Sequence, residues 1–409
     1  MATSRVAPLI ESKRINVAEH FYDLVLVFAV NKVTHTLADD ISWTGLVNAW
    51  AVFTPFWWSW VGTGILSNLT DLHEVKNRLR LFAITLITSM MTIAAPTALH
   101  GHGVFFAVAY LLLRALLLWW AVDVFGGLRL NPFSVSAFCT APLLLLTAGL
   151  PHEQQRVAWA VLMAAELSST FVLRRRLSHI HVDVLHLPER FGLVVILALG
   201  VPFVDAGGKV PHDFSARQAL ALATAFLLVA CLWWIYFHFS NSRIAHQLRT
   251  EDNQSRVVRE LLAYGHYCLL GSVSAIAVGV WLAVAHPRAA LDDSALWLMC
   301  AGAVGFHTVF AWPRWGLPRT VVVLRLSVAA VALLVPFAAH GRPGLLALGL
   351  LTAPVVAAAV AETALVGVAP SCHCGCRPTP HRLAGLGRHL HPTAGDGAPS
   401  YSSPPGDAT

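Results

Sequence analysis

In a chain of 409 residues, 56% are hydrophobic and only 12% are charged, whereas a soluble globular domain is nearer half apolar and a quarter charged. That balance excludes an ordinary water-soluble protein and gives a polytopic membrane protein, and the lack of strict apolar/polar alternation argues against a transmembrane barrel. The net charge of +6 would suggest nucleic acid in a soluble protein, but basic residues in a membrane protein report orientation, so no nucleic-acid partner is implied.

Residues 1–15, "MATSRVAPLIESKRI", carry charges without a short apolar core and a small-residue cleavage site, so they read as a cytoplasmic N-terminus and not as a signal peptide. Beyond them the apolar runs are about 17 to 25 residues long, which suits a helix crossing about 30 Å of hydrocarbon. Twelve spans are predicted, at 16–38, 43–66, 81–99, 104–124, 135–150, 157–173, 190–206, 217–240, 258–285, 294–311, 320–338 and 343–368. With the N-terminus inside, 20 Lys and Arg fall in inner segments, 5 in outer segments and 3 within spans. The positive-inside rule then puts both termini in the cytoplasm, and the chain in the cell membrane.

The first span, "NVAEHFYDLVLVFAVNKVTHTLAD", keeps Glu19, Asp23, Lys32 and His35 in an otherwise apolar run. At 100° per residue, Asn16, Glu19, Asp23 and Thr34 share one stripe, His20 and Asn31 flank it, and Lys32 points away. Trp57, Trp58 and Trp60 in the second span, with Trp119 and Trp120 in the fourth, read as an interfacial belt. Arg114 lies within the fourth span and Glu166 within the sixth. The linker 174–189 holds His179, His181 and His186, whose spacing matches no metal motif, so they read as polar loop residues. Arg325 and Glu362 lie at matching depth in adjacent late spans and read as a structural ion pair. Cys139, Cys231, Cys268 and Cys300 sit singly in apolar runs as small hydrophobes. The tail 369–409 is rich in Pro, Gly, Ser and His and should be disordered. Its Cys372, His373, Cys374 and Cys376 suit a soft metal, but the pattern is nonspecific and the tail is read as reduced and unstructured.

An internal duplication orders these parts. "VAEHFYDLVLVFAV" from Val17 aligns with "LPERFGLVVILALG" from Leu187, matching Glu19 with Glu189 and Phe21 with Phe191. Trp pairs recur at Trp57–Trp58 and Trp233–Trp234, and an Ala-rich lead precedes both Glu166 and Glu362. Two parallel six-helix repeats are predicted, 16–173 and 190–368, about an axis along the membrane normal.

An ionisable group at mid-bilayer costs about 2.5–3.5 kcal/mol on insertion scales and marks a functional-site hypothesis by default. At 1.5 Å rise per residue, Asp23, Glu166 and Arg114 all fall in the inner half of the first repeat. Glu19, Asp23 and Glu166, balanced by Arg114, would line a polar path for a cation, a proton or a charged solute. Alternatively, Asp23 and Arg114 form a buried pair that only locks helices together. No phosphate loop, nucleophile elbow or kinase motif is present, so neither an enzyme nor a cofactor is expected.

The ordered set "EHFYDLVLVFAV", "FWWSWVGTGILSNLTD", "PERFGLVVILALG" and "LWWIYF" resembles the bacterial low temperature requirement protein A family over most of residues 16–311. The resemblance implies a multi-pass bacterial inner-membrane protein of a family linked to growth in the cold. The family's first-helix pattern is met by Glu19, Phe21, Asp23, Leu24 and Val25. Its midchain pattern, Glu-Arg-His-Gly and then Leu-Gly-Glu-Ser, is met in part, with Phe191 in place of the His and Val201 and Pro202 in place of the Glu-Ser. The expectation is an all-α membrane protein that conducts or transports a small solute or ion, with the bilayer as partner and a homo-oligomer admissible. The competing expectation is a structural or cold-sensing membrane protein without transport.

Overall fold

The computed structural model describes residues 16–101, 103–177, 182–208, 215–251, 253–311 and 316–366. The N-terminal 1–15, His179, His181 and the tail with Cys372, His373, Cys374 and Cys376 lie outside the described residues.

Helices follow one another along the described chain: α1 (Val17–Asp39), α2 (Trp43–Leu69), α3 (Val75–Thr97, ending in a 3-10 turn), α4 (Gly103–Phe125), α5 (Pro132–Thr147) and α6 (His152–Val172). After a short helical turn, Arg174–Leu177, come α7 (His186–Gly208), α8 (Ala216–Thr250), α9 (Gln254–Ala285), α10 (Asp293–Ala311), α11 (Arg319–Ala339) and α12 (Gly344–Val366). Among the described residues β pairing is limited to one isolated bridge, Ala290 with Pro343. The protein is all-α, and seven of these helices, α3, α4, α7, α8, α9, α11 and α12, are long and apolar enough to cross a bilayer. α5 is apolar but shorter.

Local chemistry explains the boundaries and the irregularities. Asn16 caps α1, accepting from the Ala18 N–H at 3.0 Å, while Glu19 reaches back to the Asn16 N–H at 3.0 Å, so orphan donors at the helix start are satisfied reciprocally. Wider π turns interrupt α5 at Ser136–Thr140, α8 at Tyr236–Ser240 and α9 at Val258–Gly265. Such bulges concentrate at functional positions, and the first two end or begin on the buried Ser136 and Ser240.

Burial is inverted relative to a soluble protein. α1 exposes Val17, Phe21, Leu24 and Phe28, and α3 exposes Val75, Leu79, Phe82, Leu86, Met90 and Ile93, one apolar stripe on each helix. Glu19, Asp23 and Thr34 are buried on the other side of α1, while His20 is exposed and Lys32 partly so. An apolar outer surface of this extent suits lipid and not water.

Neighbour relations recur along the chain. α1 packs on α2 and α3, α3 on α4, α4 on α5, α5 on α6, and α2 on α6. In the same order, α7 packs on α8 and α9, α9 on α10, α10 on α11, α11 on α12, and α8 on α12. The two sets meet where α1 lies against α7 and α9 and where α2 lies against α7.

The most intimate of these contacts, α9 on α10, depends on small residues. A Cβ at Gly302 would stand 2.6 Å from the Ser272 carbonyl oxygen and 2.8 Å from the Ile276 nitrogen, and one at Gly279 would stand 2.3 Å from Met299 Cβ. Small residues let membrane helices approach closely where no hydrophobic drive separates helix from lipid. Gly302→Ala is therefore expected to push backbone from backbone and cost about 1–3 kcal/mol, as overpacking does. The check is thermal unfolding of the purified variant, and an unchanged Tm would show that the two helices are not held this closely.

The tryptophans correct one expectation. Trp57, Trp58, Trp60 and Trp120 are buried in protein, and only Trp119 of the five is exposed, at 57%. Trp57 and Trp60 lie toward the middle of α2 and use their indole N–H inside the bundle: Trp57 donates to the Ala263 carbonyl at 2.9 Å and Trp60 to Asp23 Oδ1 at 2.6 Å. Trp119 covers the Arg80 guanidinium, whose Cζ lies 4.1 Å from its ring centroid.

Candidate ion-pair site between the two halves

The first helix turns its carboxylates toward α7. Asp23 Oδ1 accepts from Arg190 Nε at 3.1 Å, from Arg190 Nη2 at 3.0 Å and from Trp60 Nε1 at 2.6 Å. Arg190 Nη1 donates to Glu19 Oε1 at 3.2 Å and to Ser67 Oγ at 2.8 Å. His186, on the first turn of α7, shares its Nε2 with Glu19 Oε2 at 3.0 Å. Glu19, Asp23, His186 and Arg190 all have no solvent exposure. Aromatic rings close the site: Phe191 stands edge-on to Trp60 with centroids 4.7 Å apart, Trp57 stacks on Trp60 at 5.2 Å, and the Arg190 guanidinium lies 5.3 Å from the Trp60 centroid.

The imidazole is held at both ring nitrogens. Asn68 Oδ1 accepts the Asp183 N–H at 2.9 Å, which fixes the amide so that its NH2 faces His186 Nδ1 at 3.0 Å. Two carboxylates therefore share one guanidinium and one imidazole. Asp23 Oδ2 and the Tyr22 hydroxyl, both buried, lack hydrogen-bond partners among the described residues, with Thr63 and Thr88 beside that hydroxyl.

A second cluster lies in the first half. Arg114 donates through Nη2 to Glu166 Oε1 and through Nε to Ser136 Oγ, and Ser136 Oγ in turn donates to Glu166 Oε1 at 2.5 Å. A third joins α11, α12 and α8. Arg325 Nε donates to Glu362 Oε1 at 2.6 Å and Nη2 to Glu362 Oε2 at 3.0 Å, with the Ile235 carbonyl at 3.2 Å and Ser240 Oγ at 3.4 Å completing the fork. Among the described residues, no three His, Cys, Asp or Glu side chains converge as a metal-ligand set.

This geometry rearranges the sequence-predicted site. Glu19 and Asp23 come together, and Arg114 and Glu166 come together, but the structure assigns the two pairs to separate clusters. The alternative pair of Asp23 with Arg114 does not form: Asp23 takes Arg190 and Arg114 takes Glu166. His186 is not a polar loop residue, because α7 begins there, four residues before the predicted start, and buries it against Glu19. Arg190, the cation that organises the cluster, opens the predicted span 190–206 and lies one turn inside the observed helix. Glu189, the repeat partner of Glu19, is exposed, so the duplication does not carry the role of Glu19 into the second half.

Comparison with known proteins follows the same helices. The chain is 31% identical over 288 residues to an uncharacterized protein of Rhizobium meliloti, covering 66% of this chain and 69% of that one. No solved structure matches it. The family described as bacterial low temperature requirement A protein (LtrA) matches over residues 14–361, a stretch that takes in α1 with Glu19 and Asp23, α7 with His186 and Arg190, and all but the last turns of α12. This multi-pass helical chain belongs to the bacterial low temperature requirement A family.

Proposed function

We propose that the protein moves a small solute or ion across the cell membrane through the bundle, with the Glu19–Asp23–His186–Arg190 cluster as its charge-binding centre. The observation that carries this reading is a fully buried cluster in which two carboxylates share one guanidinium, with one carboxylate oxygen, Asp23 Oδ2, left without a hydrogen-bond partner among the described residues. A buried carboxylate oxygen without a donor is costly, so Asp23 Oδ2 is where a proton or a monovalent cation would sit. Intramembrane carboxylates placed at a helix junction are the usual means of coupling movement to such an ion. The shared packing order of α1–α6 and α7–α12 supports two parallel six-helix repeats with twelve crossings, and the cluster lies where their first helices meet, as sites at repeat interfaces do. The distribution of Lys and Arg supports cytoplasmic termini. Neither an enzymatic step nor a cofactor enters this reading.

A structural role without transport is the second reading, favoured by Arg325 and Glu362, whose polar atoms are all occupied. Flux into proteoliposomes separates the two readings. With a panel of monovalent cations and an imposed proton gradient, wild-type protein is expected to give flux and Asp23→Asn to return it to the protein-free background at normal folded yield. Wild-type protein that moves nothing across that panel would end the transport reading.

A further inference from the structure

We infer that the protein holds a binding site for a short-chain monocarboxylate in a cavity beside the Arg114 cluster. The cavity, about 80 Å³, is walled by Trp58, Val61 and Ile65 of α2, Phe133 of α5 and Val258 of α9, so both halves of the chain contribute. Two guanidiniums stand in that apolar wall, Arg114 and Arg259. Each already pairs through Nη2 with a carboxylate, Arg114 with Glu166 and Arg259 with Glu260 at 3.3 Å, while Arg114 Nη1 and Arg259 Nε have no partner among the described residues. Buried donors without acceptors are costly, and two of them on one apolar cavity suit an anion with an apolar body. Guanidinium forks fit a carboxylate better than any other small anion carrying a hydrocarbon chain.

Size and surroundings narrow the class. An apolar cavity that accommodates benzene is about 150 Å³, so this one fits an aliphatic chain of a few carbons. Next to it, sharing Phe133 and Leu177, opens a vestibule of about 900 Å³ lined by Arg129, Arg175 and Arg176. The described residues lining the two spaces thus include five arginines and no Asp or Glu. Arg129, Arg175 and Arg176 of the vestibule concentrate anions ahead of the cavity, and an apolar pocket with a few convergent polar groups is the ordinary form of a small-ligand site. The site rests on the transport reading only for the claim that the bound anion crosses the membrane.

Equilibrium binding of radiolabelled butyrate to the purified, detergent-solubilised protein tests the inference. Saturable binding is expected, displaced by unlabelled butyrate and not by the neutral isostere butyramide. Arg259→Gln should weaken it about tenfold or more, the loss of one charged hydrogen bond. Ile65→Trp, which fills the cavity without touching either arginine, should abolish it in protein that still elutes as a folded species. Absence of saturable binding, equal competition by butyramide, or displacement of nothing but phosphatidylglycerol would overturn the inference, the last by assigning the arginines to a lipid headgroup. Binding without butyrate flux in proteoliposomes would uphold the site and sink transport. Cation flux that needs Asp23, with no butyrate binding, would sink the site and leave transport standing.

Discussion

Arg190→Met is expected to be among the most destabilising single substitutions in the chain. Arg190 supplies three of the donors that hold Glu19 and Asp23, and its removal leaves both carboxylates buried, Asp23 with Trp60 and Glu19 with His186 and Ser67. Removing one partner of a buried ion pair costs about 3–5 kcal/mol, and here one cation serves two anions, so the upper end of that range applies. The expected result is a large fall in monodisperse yield and in Tm for protein purified in mild detergent. Neutralising one stranded carboxylate tests the cause: Arg190→Met with Asp23→Asn should recover a substantial part of the lost stability, because Asn keeps an oxygen for Trp60 and removes the charge. A double variant no more stable than the single would mean that Arg190 matters for its packing on Trp60 and not for its charge.

The same residue shows what the sequence could and could not reveal. Glu19, Asp23, Arg114 and Glu166 were legible because a charge inside a long apolar run stands out against its neighbours, and the helical stripe of α1 follows from 100° per residue. Their partners were not legible from depth alone. Depth along the membrane normal says which groups are level and nothing about which helices touch, so Asp23 was matched with Arg114, although α7 brings Arg190 to it. A helix start placed four residues late left His186 in the linker 174–189 and made Arg190 the first residue of the span, where an Arg at the membrane edge is unremarkable. Two signals were available. The alignment of "VAEHFYD" with "LPERFGL" puts Arg190 one turn inside a helix, opposite His20, and Arg is part of the midchain pattern the family shares. The tryptophans were misread for a related reason: a Trp pair near a predicted span end fits an interface, whereas α2 runs to Leu69 and places Trp57 and Trp60 deep enough to serve Asp23.

Arg325→Met should also lose about 3–5 kcal/mol, since it strands Glu362 in a fully buried site. Here, unlike at the first-helix cluster, the charges balance one to one and every polar atom of the fork is occupied, so nothing in the geometry asks for an ion. Replacing both partners with apolar residues of similar volume, Arg325→Met together with Glu362→Leu, is therefore expected to restore most of the stability, because such replacements of buried pairs are often neutral or favourable by about 1–4 kcal/mol. Thermal unfolding of the two variants checks the energetics, and flux measured on the double variant checks the role. A stable double variant with wild-type flux would make the pair a fastener of α11 to α12 and confine the working charges to the junction of α1 with α7. A stable double variant without flux would show that the second half contributes its own charged step, and the first-helix cluster could then no longer be treated as the sole centre of movement.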